Sequence, residues 1–346
     1  MKGASIALDR IGDREAAALI VDGIVEDLFL DGAAALPGAI YRGIAGRPMK
    51  GQGGVFFDTP DGPAYLRQIK GVSPAERRIL QVTGYAEPGK AIPVTDRVLF
   101  KSRYAIVTPG APGINVSRAI RNDDMREALL ALAHDIVEDA DGFGLILRSS
   151  CAGAAEDAVA EDIAEMRALA AAVMADTEGA AELLVAGDGA HARAWREWSM
   201  PATIDGEPGA FDRLGVWEAI DALASPHVAL GARASMSVEV TRALVAVDVN
   251  TGGDTSPAAG LKATLAALRA LPRELRLRGL GGLVTIDPAP VPKKDRRQIE
   301  GALRAALKSD SVETIFAGWT PMGNIELQRK RDRPALADIL KEEAAR

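Results

Sequence analysis

The 346-residue chain holds a single cysteine, Cys151, so an internal disulfide and a zinc site of paired cysteines are both excluded. A lone thiol suits a reducing cytoplasm, and Cys151 reads as a small packed residue. Histidine is also scarce. His134, His191 and His227 are scattered and show neither His-x-x-x-His spacing nor a Ser-His-Asp arrangement. Aromatic residues make up only 4% of the chain. No run of eighteen apolar residues exists, which excludes a membrane-spanning helix. Met1–Arg10 carries Lys2, Asp9 and Arg10 without an apolar block, unlike a signal peptide. No Gly-x-Gly-x-x-Gly or phosphate-loop lysine follows a strand pattern, so a nucleotide cofactor finds no support.

What is present can build real cores: 48% hydrophobic and 26% charged residues, in a length that favours more than one domain. The net charge of −7 hides a division. Residues 1–108 carry +2, residues 109–240 carry −14, and residues 241–346 carry +5. In the last third the basic residues cluster at Arg269, Arg273, Arg276 and Arg278, at Lys293, Lys294, Arg296 and Arg297, and at Arg329, Lys330, Arg331 and Arg333. Local potential, not the sum, governs a polyanionic partner, so these clusters could lie along a phosphate backbone; taken singly, each reads as a solvated helix face.

Hydrophobic periodicity organises the chain. Short strands are expected at Ser5–Asp9, Glu15–Val21 and Gly23–Phe29. Five more, at Ala39–Ile44, Val55–Asp58, Ala64–Ile69, Ile79–Tyr85 and Val98–Val107, suggest a small barrel of the oligonucleotide-binding type. Phe56 and Phe57 must point to opposite faces, so only one can stack a base. Tyr65 also sits on a strand, with Lys90, Lys101 and Arg103 nearby, and a basic residue beside an outward aromatic can hold a base's phosphate. Residues 110–116 read as a loop, Asp123–Glu138 and Glu156–Ala175 as helices, and Gly144–Leu147 and Leu183–Ala186 as strands, while 187–215 show no clear pattern. Beyond them, strands at Ala243–Val249, Gly282–Ile286, Val312–Ala317 and Ile325–Gln328 alternate with helices at Pro257–Leu271, interrupted by Pro272 and resuming to Arg278, and at Lys294–Leu307. This is an α/β layer. Trp195, Trp217 and Trp319 read as core or subdomain contacts.

Two segments share one construction. Ala243–Asp248 and Gly282–Asp287 are apolar runs that each end in aspartate, the pattern of strands buried on both faces. Acidic residues at the C-terminal ends of such strands emerge where α/β folds place ligands. If the strands are neighbours, Asp248 and Asp287 converge, and two close carboxylates repel unless a cation lies between them. Mg2+ accepts one or two carboxylates plus waters and phosphate oxygens. Asn250 lies on the same side of the extended chain as Asp248 and can add a neutral oxygen or amide. The arrangement suits phosphodiester hydrolysis.

At these residues the chain resembles the ribonuclease E/G family. Arg242–Thr251 (RALVAVDVNT) and Arg273–Asp287 (RELRLRGLGGLVTID) look like its two metal-carrying segments, and Gly323–Arg331 is similar to its closing strand. Ile40–Gly43 and Phe56–Asp58 resemble the start of its S1 domain, and Gly144–Ser149 its 5′-end sensor. The resemblance implies a multidomain α/β fold. A ribonuclease H-like scaffold (1–37 and 181–232) would be interrupted by an S1 barrel (38–108) and a sensor-like segment (109–180). A deoxyribonuclease I-like catalytic subdomain (233–346) would follow. It implies a Mg2+-dependent endonuclease, with Mn2+ as the alternative ion, that cuts single-stranded RNA in the cytoplasm to 5′-phosphate and 3′-hydroxyl ends. Asp248 and Asp287 would hold the metal with Asn250 in support. Phe56, Tyr65 and Lys90 would hold RNA, and Arg148 and Ser149 would meet its 5′ end.

Two departures stand out. The position of the family's second sensor arginine holds Pro321, which predicts weak preference for 5′-monophosphorylated RNA because bidentate clamping needs converging donors. The family's zinc-link cysteines are missing, so any homodimer would form without zinc. The rival reading is an S1-type RNA-binding protein of the same ancestry with little or no catalytic activity.

Overall fold

The computed structural model describes residues 3–32, 35–47, 53–69, 71–87, 89–137, 142–231, 233–254 and 256–346. Glu138, at the end of one expected helix, lies outside them. The chain divides into two compact units, one from Met1–Gly32 with Pro201–Arg346 and one from Ala33–Met200.

The first unit opens with β1 (Ala4–Ile11), β2 (Arg14–Val21) and β3 (Ile24–Leu30), close to the three expected strands. Asp22 and Gly23 link β2 to β3 with φ of 50° and 83°, the left-handed pair that a tight hairpin needs.

The second unit begins with a closed barrel: β4 (Ile40–Ala45), β5 (Gly54–Thr59), β6 (Gly62–Arg67), β7 (Arg77–Val82) and β8 (Ile92–Thr95). The order is β4-β5-β6-β8-β7, and antiparallel pairing of β4 with β7 closes it. Tyr41, Phe57, Leu66, Leu80 and Val94 fill the interior. The fifth barrel strand is thus β8 and not the expected Val98–Val107. Pro93 interrupts the apolar alternation there and masked it. The expected strand splits into β9 (Phe100–Lys101) and β10 (Ala105–Pro109), which join another sheet. That sheet runs β11-β12-β10-β9, with β11 (Gly113–Val116) parallel to β12 (Phe143–Leu147). Half of the expected loop at 110–116 is therefore strand. Helices α1 (Asp123–Ile136) and α2 (Glu156–Ala175) pack against this sheet through Leu129, Ala133, Val159 and Ile163. β13 (Glu182–Val185) adds to the barrel sheet beside β4. There buried Arg42 donates to Ala180 O at 2.8 Å and pairs with Asp176 and Glu182. Helix α3 (Ala190–Glu197) resolves part of the stretch that carries no sequence pattern.

The chain then returns to the first unit. β14 (Thr203–Asp205) lies parallel to β1, and α4 (Ala210–Arg213) and α5 (Val216–Leu223) follow. A six-stranded sheet comes next, built from β15 (His227–Gly231), β16 (Ala234–Val240), β17 (Val245–Asn250), β18 (Gly282–Asp287), β19 (Thr314–Trp319) and β20 (Ile325–Arg329). Its order is β15-β16-β17-β18-β20-β19, and the only parallel pair is β17–β18. Helices α6 (Pro257–Leu277) and α7 (Arg296–Ser309) cover one face. α8 (Leu336–Ala344) packs with β1–β3. Among the described residues no helix is long and apolar enough to cross a membrane.

α6 starts at Ser256, whose Oγ accepts the Ala259 N–H at 3.2 Å. It runs through Pro272 without the expected interruption. A mid-helix proline costs about 3 kcal/mol. Buried Leu268, Leu271 and Leu275 flank it on the sheet. Arg273 and Arg276 also bond Val25 O and Glu26 O of β3 at 2.5 and 2.7 Å. Tertiary contacts on both sides outweigh the local penalty.

Arginines from two of the three basic clusters turn inward, while Arg269 and Lys330 of the same clusters stay exposed. Asp310, fully buried, accepts from Arg276 Nη1 and from Arg329 Nη1, each at 2.5 Å, and Arg329 is 1% exposed. Arg333 pairs with Asp27, and Arg278 with Glu274. They are neither solvated helix faces nor free phosphate ligands. A buried guanidinium is tolerated only beside its counter-ion. Asp310→Ala leaves Arg276 and Arg329 facing one another without it, so unfolding free energy should fall by about 3–5 kcal/mol. Urea denaturation of the two proteins measures the difference.

Candidate active site

β17 and β18 are each buried on one face only. Val245, Val247 and Val249 point into the helix-covered core with Val284 and Ile286, while Asp248, Asn250, Leu283 and Asp287 lie exposed on the other face. This corrects the expectation of strands buried on both faces. Outward positions filled by Ala246, Leu283 and Thr285 make a one-sided strand read as a continuous apolar run.

The expected neighbours do meet. Asp248 and Asp287 are register partners on parallel strands. Adjacent strands are separated by about 4.8 Å, and partners in register project to the same face. Asn250, two residues on, donates its Nδ2–H to Asp248 Oδ2 at 2.6 Å, which fixes the carboxylate's rotation. Ser237 of β16 stands opposite Asp248, completing a row Ser237–Asp248–Asp287. The row floors a groove of about 310 Å3 that Glu239, Thr285 and Asn324 also line. Ser237, Glu239, Thr285 and Asn324 were not singled out by sequence. Their signal was weak: β16 has no apolar run to mark it, and Asn324 precedes a strand whose other residues are core or surface.

The donor set fits a hard divalent ion. Among the described residues no group of three or more Asp, Glu, His or Cys side chains could hold a metal, so the site offers two carboxylates. Mg2+ binds through one or two carboxylates and keeps several waters, whereas zinc takes three or four protein ligands, rich in nitrogen and sulfur.

On the barrel, Phe56 is 36% exposed and Phe57 is fully buried, which settles which of the two faces outward. Phe56 and Tyr65 are cross-strand partners with ring centroids 4.9 Å apart. Tyr65 lies over Gly54, where any Cβ would stand 2.4 Å from its hydroxyl. Lys90 is exposed and pairs with Glu87 at 2.5 Å.

Arg148, at the end of β12, is fully engaged. Its Nη1 donates to Ser102 O at 2.5 Å, Arg196 O at 3.1 Å and Arg103 O at 3.3 Å, and its Nη2 to Glu197 Oε2 at 2.7 Å. Ser149 is exposed and opens a single helical turn. Glu197 also accepts from Lys101 Nζ and Arg196 Nε, both at 2.7 Å. Sequence reasoning gave Glu197 no role and did not join it to Lys101, 96 residues away. Trp195, expected in a core or at a subdomain contact, is 59% exposed and thus not in a core, with the Arg103 guanidinium 3.9 Å from its ring centroid. Cys151 is buried, and burial pushes its thiol up to about 11, so it stays protonated and packed.

Burial pushes the Glu197 carboxyl up, but Lys101, Arg148 and Arg196 outweigh it and hold the group down at about 2, against an ordinary 4.5. A depressed carboxylate contributes stability that is present above its unfolded value and lost as pH falls through the folded one. The gap in melting temperature between the native chain and Glu197→Gln should therefore be widest above pH 4.5 and narrow as pH falls toward 2. A pH series of thermal melts reads it directly, and a gap independent of pH contradicts the assignment.

Residues 100–204 and 200–332 match the Ribonuclease E/G family. Ribonuclease G of Salmonella typhimurium (strain SL1344) is 26% identical across 93% of this chain and 79% of its own length. Ribonuclease G of Escherichia coli (strain K12) is 25% identical over the same shares. Ribonuclease E of Nostoc sp. (strain PCC 7120 / SAG 25.82 / UTEX 2576) is 24% identical across 85% of this chain and 51% of its own length. The family match covers more than half of the residues and includes both aspartate-bearing strands, so this chain belongs to the ribonuclease E/G family.

Proposed function

We propose that the chain is a divalent-metal-dependent endoribonuclease that hydrolyses single-stranded RNA to 5′-phosphate and 3′-hydroxyl ends. The observation that carries this reading is the pairing of Asp248 with Asp287, in register on the open face of one sheet. The named relatives, ribonucleases G and E, support RNA as the substrate.

Asp248 and Asp287 would hold Mg2+, or Mn2+ in its place. Bound there, the ion supplies charge neutralisation at the phosphate and a more acidic water. Asn250 keeps Asp248 turned toward the site through its 2.6 Å bond. The hydroxyl of Ser237 and the amide of Asn324, which line the groove, would donate to phosphate oxygens there. Lys293 and Lys294, exposed six and seven residues beyond Asp287, would meet a phosphate backbone. Water adds to phosphorus, the bond from phosphorus to the 3′ oxygen breaks, and the proton from water goes to the departing 3′ oxygen. Phe56 and Tyr65 offer an aromatic platform for a base, with Lys90 beside the barrel as a phosphate contact.

Asp248→Asn should lower metal-dependent cleavage of an unstructured labelled RNA by about 100-fold or more, since even an outer-shell change costs a metal site 10–100-fold. RNA mobility shift should persist. Full activity of that variant refutes the metal assignment. Binding without cuts in the native chain, at any Mg2+ or Mn2+ concentration, makes it an RNA-binding protein. Phe56→Ala should weaken RNA binding by about 1–3 kcal/mol, the usual worth of one stacked base, measured by fluorescence anisotropy.

A further inference from the structure

One acid on the open face of the six-stranded sheet stands outside the metal pair. Glu239 lies on β16 two residues beyond Ser237, which is the register partner of Asp248. Two residues of antiparallel strand advance about 7 Å, close to the step between successive nucleotides of an unstacked strand. Glu239 is exposed, and among the described residues it has no ion-pair partner and joins no metal-binding group. A free carboxylate repels phosphates, yet it accepts strongly from any N–H group that a base turns toward it.

Glu239 also lines a second cavity. This space holds about 630 Å3 and is walled by Leu223, Val238, Val240, Leu280, Leu336 and Leu340. Its position follows from where the strands end. β15 begins at His227, beside Ser237, and Val238 N donates to Pro226 O at 2.8 Å. No described strand flanks Glu239 and Val240 on that side, and Val240 is 66% exposed. The cavity and the candidate active-site groove therefore meet at Glu239, around the edge of β16. Apolar walls with a few polar groups are the usual make-up of a site for a small flat ligand. The charged residues of the lining are Glu239, Arg278 and Lys341. Arg278 is taken up by Glu274 and by Ser225 O at 3.0 Å. Lys341 is exposed on α8, and its charge offsets that of Glu239, so the cavity does not repel a polyanion outright.

We propose that Glu239 selects the base beside the scissile phosphate: the base leaves the stack, seats its ring in the apolar cavity and donates its exocyclic amino group to the carboxylate. The inference rests on the nuclease reading, which supplies the scissile phosphate at Asp248 and Asp287. Bases of single-stranded RNA are free to turn their pairing edges to a protein. Adenine, cytosine and guanine carry an amino group, and acceptance by Glu from the cytosine amine is an established pairing. Uracil carries a carbonyl oxygen at that edge instead, which a carboxylate repels. Apolar walls hold an extruded ring in place of its stacked neighbours.

The experiment binds fluorescein-labelled oligo(A), oligo(C) and oligo(U) to the full native chain without divalent ion, so that nothing is cut, and reads affinity by anisotropy. Oligo(A) and oligo(C) should bind about tenfold tighter than oligo(U), near the lower end of what one good base contact discriminates. Glu239→Gln keeps the shape but can donate to a carbonyl as well as accept, so the preference should shrink to about twofold or less. Ala337→Trp, at an exposed position that lines the cavity, fills the space from α8 and should erase the same preference. Circular dichroism follows the fold of both variants. With Mg2+ added, the native chain should cut a mixed-sequence RNA beside amino-bearing bases, and Glu239→Gln should spread the cuts to uracil. A native chain that does not favour oligo(A) and oligo(C) overturns the proposal, as does a preference that survives either substitution. A chain that discriminates the oligonucleotides but cuts none sinks the nuclease reading alone and leaves Glu239 as the base-reading residue of an RNA-binding groove. A chain that binds no oligonucleotide overturns both.

Discussion

The candidate chemistry depends on the register between two parallel strands. Shifting β17 against β18 by one residue would turn either Asp248 or Asp287 into the core, because side chains alternate faces along a strand. The register is held by the buried faces. Val245, Val247 and Val249 pack with Val284 and Ile286 beneath α6, and a one-residue slip would turn one of the two sets out to solvent. Hydrophobic burial on the hidden side thus fixes the spacing of two charges on the open side. The closeness of the carboxylates is set by the fold, and a divalent ion would relieve their repulsion.

The rest of the first unit serves that alignment. Parallel strands require a crossover, and α6 provides it, long enough to carry a proline in its interior. Its C-terminal half is bonded to β3 through Arg273 and Arg276, and Asp310 joins Arg276 to Arg329 of β20. Arginine suits this work because its fork bonds several acceptors at once and keeps its charge when buried. The cost is that the buried and half-buried arginines of this network are unavailable to a nucleic acid. Part of the positive charge of residues 241–346 is internal wiring, and the rest, Lys293 and Lys294 included, stays exposed.

The second unit uses charge differently. At Arg42 and at Arg148 a guanidinium takes backbone carbonyls on one side and carboxylates on the other, joining segments distant in sequence. Around Arg148 these ties occupy the donors that a ligand would need. In the barrel, exposed Phe56 and half-buried Tyr65 form an aromatic pair.

Sequence alone determined the elements with strong periodicity and the motif residues. The three opening strands, the helix Glu156–Ala175 and the two aspartate-ending strands are all legible because their buried residues are close neighbours in the chain. It also determined that Asp248, Asn250 and Asp287 belong together, since the run-then-aspartate pattern occurs twice. Tertiary structure decided what depends on distant partners. It placed β8 and not Val98–Val107 in the barrel, carried α6 through Pro272, opened one face of β17 and β18, and turned arginines of two basic clusters inward. It alone brought Lys101, Arg148 and Arg196 onto Glu197. Local pattern reports which side chains prefer burial, but which charge finds which counter-charge is settled only when segments a hundred residues apart are packed side by side.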